Sequence, residues 1–296
     1  MVGVQPNLIL RTKSTETVQS ESKQLGITGN ILFDRIVGAN IYTCSPGEYG
    51  RIGSVPLVQR LCRYLEESSS VDTRRKKVYE IPVGGSNGLG TWGYIAAVEE
   101  IMTQSDDIGL TFDHVVVASG SGGTAAGISL GMILAHHGFL SSTPNMLPHI
   151  HAVGVCDNPD YFYKTILEIF NEMGLSLQPS FTENLLRKYL TVHQGKGLGY
   201  GFSTKEELAF IAQFAIETGI ALDPVYTGKA LYHFILKVLE NGNQEVYRNS
   251  TILFWHTGGG LGIFEKGDSL LDILDKRSSV QKLDVYGKGN ADVISI

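Results

Sequence analysis

The chain has 296 residues, a formal net charge of −6, 43% hydrophobic residues and 18% charged ones. That length suits about two globular domains with a large core. The acidic balance and scattered basic residues argue against nucleic acid as a partner, and no apolar run approaches the ~20 residues of a membrane-spanning helix.

The N-terminal stretch MVGVQPNLILRTK has no basic start, and Arg11-Thr12-Lys13 stands where a secretory cleavage site would lie, so secretion is not expected. Asn7–Arg11 reads as a buried parallel strand. A helix over Gly29–Val37, a strand over Asn40–Cys44 and a helix over Leu57–Glu67 follow. The run Arg74-Arg75-Lys76-Lys77 reads as a solvated loop before a strand at Lys77–Ile81, and a helix is expected at Tyr94–Ser105. Next come strands at His114–Ala118 and His149–Val155, with helices at Asp160–Met173 and Lys205–Thr218. A helix over Gly228–Glu240, ended by Asn241-Gly242, precedes a last strand at Thr251–Trp255. Alternating strands and helices imply a mostly parallel sheet covered on both faces, with ligands beyond the carboxyl ends of the strands. The polar tail 276–296 has no assigned role.

Cys44, Cys62 and Cys156 are far apart and lack metal-ligand spacing, so they read as buried, reduced thiols, and no metal site is expected. Glycine is the unusual component: 35 of 296 residues, against roughly 7% on average. It is clustered in GGSNGLGTWG (Gly84–Gly93), SGSGGT (Ser119–Thr124), GKGLGYG (Gly195–Gly201) and HTGGGLG (His256–Gly262).

The second cluster joins the β-branched run Val115-Val116-Val117 to an apolar helical segment. First-turn N–H groups and the helix dipole favour an anion there, and glycines let the backbone approach it closely. Ser121 and Thr124 add hydroxyl donors. A P-loop would need Gly-Lys-Ser/Thr, but Gly123-Thr124 is followed by Ala125. A dinucleotide fingerprint wants an acidic residue about 20 positions on, where the sequence has His136-His137-Gly138. The expected guest is therefore a phosphate monoester.

Five segments, IPVGGSNGLGTWGY, VVVASGSGGTAAG, GLGYGFST, ALDPVYTGKAL and FWHTGGGLGIFEK, occur in an order that resembles the D-cysteine desulfhydrase and 1-aminocyclopropane-1-carboxylate (ACC) deaminase family. These belong to the tryptophan synthase β-like, fold type II enzymes that use pyridoxal 5′-phosphate. The resemblance implies an α/β fold of mostly parallel sheets in two domains. Residues 1–105 would be the remainder of the smaller domain and 106–275 the larger, phosphate-binding one. It assigns Ser121, Gly122, Gly123 and Thr124 to the cofactor phosphate. Thr257, with Gly258, matches the hydroxyl position near the pyridine nitrogen; alone, Thr257 would read as a strand-end cap. Tyr200 and Tyr226 match tyrosines flanking the substrate, where a phenol bonds a carboxylate or, with a lowered pKa, moves a proton. Asp223-Pro224 reads as turn-forming and Lys229 as a solvated helix residue.

ACC deaminases carry Glu, facing the pyridine nitrogen, where this chain has Thr227, so the resemblance favours α,β-elimination of D-cysteine to pyruvate, sulfide and ammonia. ACC deamination is the alternative, and a non-catalytic phosphate- or partner-binding protein is another. The family's Schiff-base lysine lies in an Asn-Lys context ahead of the phosphate turn. Lys13, Lys23, Lys76 and Lys77 precede Gly120, and none has that context. The expectation is an N-terminally truncated chain of low or no activity, with apolar surface exposed on its first domain. The implied partners are a small amino-acid substrate and, in full-length relatives, a second copy in a homodimer. The implied compartment is cytoplasmic or organellar, mitochondrial for a full-length form.

Overall fold

The structure, a computed structural model, describes residues 4–12, 28–68, 77–140, 147–175, 182–240 and 247–276. Two parallel sheets organise it. In the smaller, β1 (Asn7–Arg11) pairs with β2 (Asn40–Cys44), Asn7 opposite Asn40, and α1 (Gly29–Ile36) lies between them in sequence. β1 was expected to be buried, but Asn7–Leu10 are half-buried and Arg11 is exposed. α1 presents Leu32, Phe33 and Ile36 to solvent. The helices α2 (Pro46–Ile52) and α3 (Ser54–Ser68) follow β2.

The larger sheet has the order β5-β4-β3-β6, from β3 (His114–Ser119), β4 (His149–Gly154), β5 (Leu190–Gln194) and β6 (Ile252–Trp255). β3 is central, and its valines are fully buried because both faces are covered. Val115 and Val117 pack with residues of α4 (Gly88–Ile108), α5 (Gly123–His136) and α6 (Pro159–Glu172). Val116 and Ala118 face the other way, onto Ala230 and Phe234. These come from α9 (Thr227–His233) and the π-helical turn after it, Phe234–Glu240. The small residues of α5 let α4 lie close: a Cβ on Gly131 would sit 2.9 Å from Val98 Cβ. The Asn87 side chain starts α4 by accepting from Gly90 N at 2.8 Å.

Several elements differ from expectation. Lys77–Ile81 has no regular secondary structure and joins no sheet among the described residues, and Lys77 is exposed. β5 was not expected, because it follows α7 (Glu183–Tyr189) with no glycine or proline between them. α2, also unexpected, carries a legible signal in the Ser45–Glu48 capping box. Of the thiols only Cys44 is buried; Cys62 and Cys156 are half-buried. A 3₁₀ stretch (Gly260–Lys266) and α10 (Gly267–Leu274) follow β6, while 277–296 lie outside the described residues. No described helix is long and apolar enough to cross a membrane.

Candidate functional site

β3 ends at Ser119, and α5 begins at Gly123, so the intervening turn delivers the α5 N-terminus to the carboxyl edge of the sheet. Gly122 is the N-cap residue, with φ at +90°, a left-handed conformation that favours glycine. A Cβ there would press on Thr165 Cγ2 at 3.2 Å, so a larger residue would also have to push that side chain aside. Gly123 N donates to Ser86 Oγ at 3.1 Å, and the Ser86 and Ser121 hydroxyls lie 2.6 Å apart. A Cβ on Gly123 would come 2.5 Å from Ser86 Oγ. The GGSN segment thus folds directly onto the phosphate-type turn, and Ser86 is a site residue that spacing along the chain did not reveal. Thr124 is half-buried in the first turn of α5. Ser119 Oγ, just before the turn, is buried and has no hydrogen-bond partner among the described residues.

The tyrosine pair stands against this turn. A Cβ on Gly120 would lie 2.7 Å from Tyr226 Cε1, so glycine is what lets the ring approach. Tyr226 and Tyr200 are joined by a 2.7 Å hydroxyl–hydroxyl hydrogen bond, their rings edge-on at 6.0 Å. Burial, reinforced by that bond, raises the Tyr226 pKa. Tyr226 is therefore a protonated donor at neutral pH, not a proton carrier with a lowered pKa. The Arg11 guanidinium, at the end of β1, sits 4.7 Å from the Tyr49 ring centroid and 5.8 Å from that of Tyr200. The Cys156 thiol donates to Gly120 O at 2.9 Å, and burial raises its pKa.

Asp223 shapes the turn before α9, as expected. Its carboxylate accepts from the backbone N–H groups of Val225, Tyr226 and Thr227 at 2.6–2.8 Å. Thr227 is fully buried, and its hydroxyl donates to Asp223 Oδ1 at 2.7 Å. That hydroxyl belongs to the turn. Lys229 also departs from expectation: it is fully buried and bonded to three carbonyls.

β3 and β6 are neighbours in register, with Val117 opposite Trp255, so the glycine turn and the His256–Gly258 segment emerge side by side. The Thr257 hydroxyl is exposed and has no partner among the described residues. Gly258 N donates to His256 Nδ1 at 3.1 Å. The next glycine packs on the Asp223 turn: a Cβ on Gly259 would lie 3.0 Å from Asp223 Cγ. Hydroxyl donors, helix N–H groups, two phenols and a free threonine hydroxyl therefore gather at one edge of the sheet. This donor set fits a phosphorylated cofactor with a polar ring: a Cβ on Gly122 or Gly123 would crowd the cradle, and the neighbouring Ser119 hydroxyl has no partner among the described residues. Of the lysines considered from sequence for a covalent link, Lys13, Lys23 and Lys76 lie outside the described residues.

The profile described as "Pyridoxal-phosphate dependent enzyme" matches residues 11–258. The chain belongs to the pyridoxal-phosphate dependent enzymes. Pyridoxal 5′-phosphate is thus the family's cofactor, as the resemblance implied. A bifunctional D-cysteine desulfhydrase/ACC deaminase, named as mitochondrial, from Arabidopsis thaliana is 40% identical over 297 residues, covering 97% of this chain and 67% of that protein. A D-cysteine desulfhydrase from Serratia proteamaculans is 34% identical over 186 residues, 63% of this chain and 52% of its own length. The crystal structure of an ACC deaminase homologue superposes with a TM-score of 0.67 at 30% identity, over 92% of this chain and 71% of that one. This likeness bears out the expected fold type II architecture of parallel sheets and covering helices.

Proposed function

We propose that this protein is a lyase of the D-cysteine desulfhydrase type, eliminating sulfide from D-cysteine to leave pyruvate and ammonia. The observation that carries the reading is the placement of Tyr226, paired to Tyr200, directly over Gly120 beside the α5 N-terminus. Ser121, Thr124 and the N–H groups at Gly122 and Gly123 would hold the cofactor phosphate, and Thr257 would meet the ring nitrogen. A neutral hydroxyl there leaves that nitrogen unprotonated more readily than a carboxylate would. When bound, pyridoxal phosphate supplies an electron sink that eases removal of the substrate α-proton. Tyr226, kept protonated by its surroundings, donates a hydrogen bond to the substrate carboxylate. Tyr200 orients that phenol, and Arg11 adds a positive charge above Tyr200.

ACC deamination is the second reading, favoured by the bifunctional Arabidopsis relative and the ACC deaminase homologue fold. In this proposal the smaller unit extends to about residue 105 and the larger spans 106–275. α4 crosses that boundary in sequence and packs on α5 and α6 of the larger unit. A small amino acid as substrate, a homodimer, and a cytoplasmic or mitochondrial location complete the reading.

The test is titration of the full chain with pyridoxal phosphate, followed by assay of D-cysteine, L-cysteine and ACC for α-keto acid and sulfide. Sulfide from D-cysteine supports the first reading, and keto acid from ACC alone supports the second. Tight cofactor binding with no turnover leaves a phosphate-binding protein without catalysis.

A further inference from the structure

Gly195–Gly201 has no regular secondary structure, yet it must bring Tyr200 to Tyr226. The groups that hold it come from α9. Lys229 Nζ donates to the carbonyls of Lys196 at 3.0 Å, Gly199 at 3.0 Å and Phe202 at 2.6 Å. All three donors of the ammonium are therefore spent on one short loop. The lysine side chain is fully buried, and a charge in that setting persists only when it is paired and hydrogen-bonded. Glu207 supplies the pairing: its Oε2 lies 3.9 Å from Lys229 Nζ, and its Oε1 is 2.9 Å from His233 Nε2. Glu207 is itself fixed, because it closes the capping box with Thr204 at the start of α8 (Lys205–Thr218).

The loop backbone is shaped to reach this buried cluster. Gly197 has φ at +55°, and a Cβ on it would stand 2.7 Å from Glu207 Oε1 and 3.4 Å from Lys229 Nζ. A second tie runs from Lys266 Nζ to Gly201 O at 2.8 Å. Tyr226 is the residue immediately before α9, and Lys229 lies within its first turn. Both phenols are thus referenced to one helix, Tyr226 by the chain and Tyr200 through the lysine.

We propose that Lys229 is a positioning residue: its ammonium, balanced by Glu207, latches the 196–202 carbonyls to α9 and so holds Tyr200 in register with Tyr226. The kinetic consequence rests on the lyase reading above; the latch does not. The lysine touches neither phenol, so its effect on chemistry passes through Tyr200.

The experiment uses the full chain and the variants Lys229→Met, Gly197→Ala, Tyr200→Phe and the double variant Lys229→Met/Tyr200→Phe. Amide hydrogen exchange across 195–203, ultraviolet titration of the phenols and turnover of D-cysteine are measured for each. Lys229→Met should speed exchange of the loop at least tenfold and bring the most resistant phenol toward the ordinary tyrosine range. It should also lower kcat at least tenfold with a smaller change in KM, and cost nothing further when added to Tyr200→Phe. Gly197→Ala leaves no charge unpaired, and it should give the same pattern if Lys229→Met fails to fold. Unchanged exchange and phenol titration in a folded variant would overturn the proposal, as would full additivity of Lys229→Met with Tyr200→Phe. Absence of turnover in the wild-type chain, with exchange and titration of the variants changing as described, would sink the lyase reading and leave the latch standing.

Discussion

Acidification should weaken this fold through four histidines on the larger sheet. His114 on β3 lies opposite His149 on β4, and His151 follows two residues on, between β3 and β5. The His151 Nδ1 atom is 2.8 Å from His193 Nε2, and its Nε2 is 3.1 Å from His114 Nδ1. Phe234 and Tyr247 cover the cluster, with ring centroids 5.1 and 6.0 Å from that of His151. Burial, then the neighbouring imidazoles, push His151 from 6.5 down to about 3; burial does the same to His193, to about 4.

Below pH 6.5 the unfolded chain takes up protons that the folded one refuses, so stability is intact above 6.5 and falls as pH drops toward 4. At pH 5 the term RT ln(1 + 10^1.5) is about 2 kcal/mol for each such histidine, a large part of a total of about 5–15 kcal/mol. The perturbation is His151→Gln. Urea midpoints at pH 7.5 and 5.0 should show wild type losing about 2 kcal/mol more than the variant over that interval. Nitrogen-15 imidazole shifts should show His151 neutral at pH 5. A His151 that titrates near 6.5, or equal pH dependence in both proteins, would refute the reasoning.

Three further outcomes follow from the site. Gly120→Ala should drive the Tyr226 ring away, breaking its bond to Tyr200 and lowering turnover on the order of tenfold, or about 1.4 kcal/mol, while cofactor affinity measured by fluorescence holds. Gly84→Ala puts a Cβ into the Ser121 hydroxyl at a residue with φ of +69°, so cofactor affinity should fall about tenfold, with the phenol titration unchanged. Asp223→Ala strips an acceptor from three backbone N–H groups and should cost about 3 kcal/mol, read as a fall in Tm of roughly 6–10 °C.

The residues alone determined the parts of this protein whose signals are local. The run Val115–Val117 followed by Ser119–Thr124 announces strand, turn and helix within a few residues, because periodicity and glycine tolerance act at that range. β1, β2 and α8 were legible at their observed bounds for the same reason. Tertiary structure decided what depends on partners distant in sequence. Lys77–Ile81 has strand-like composition but no neighbour to pair with among the described residues, whereas Leu190–Gln194 gains one in β4. Lys229 reads as a solvated helix residue until the carbonyls of Lys196, Gly199 and Phe202 close around it. Tyr226 reads as a phenol that a lowered pKa could set to moving protons, until burial and Tyr200 fix its proton in place. Whether a polar group is charged, buried or free is set by what the folded chain packs around it, and sequence spacing does not encode that directly.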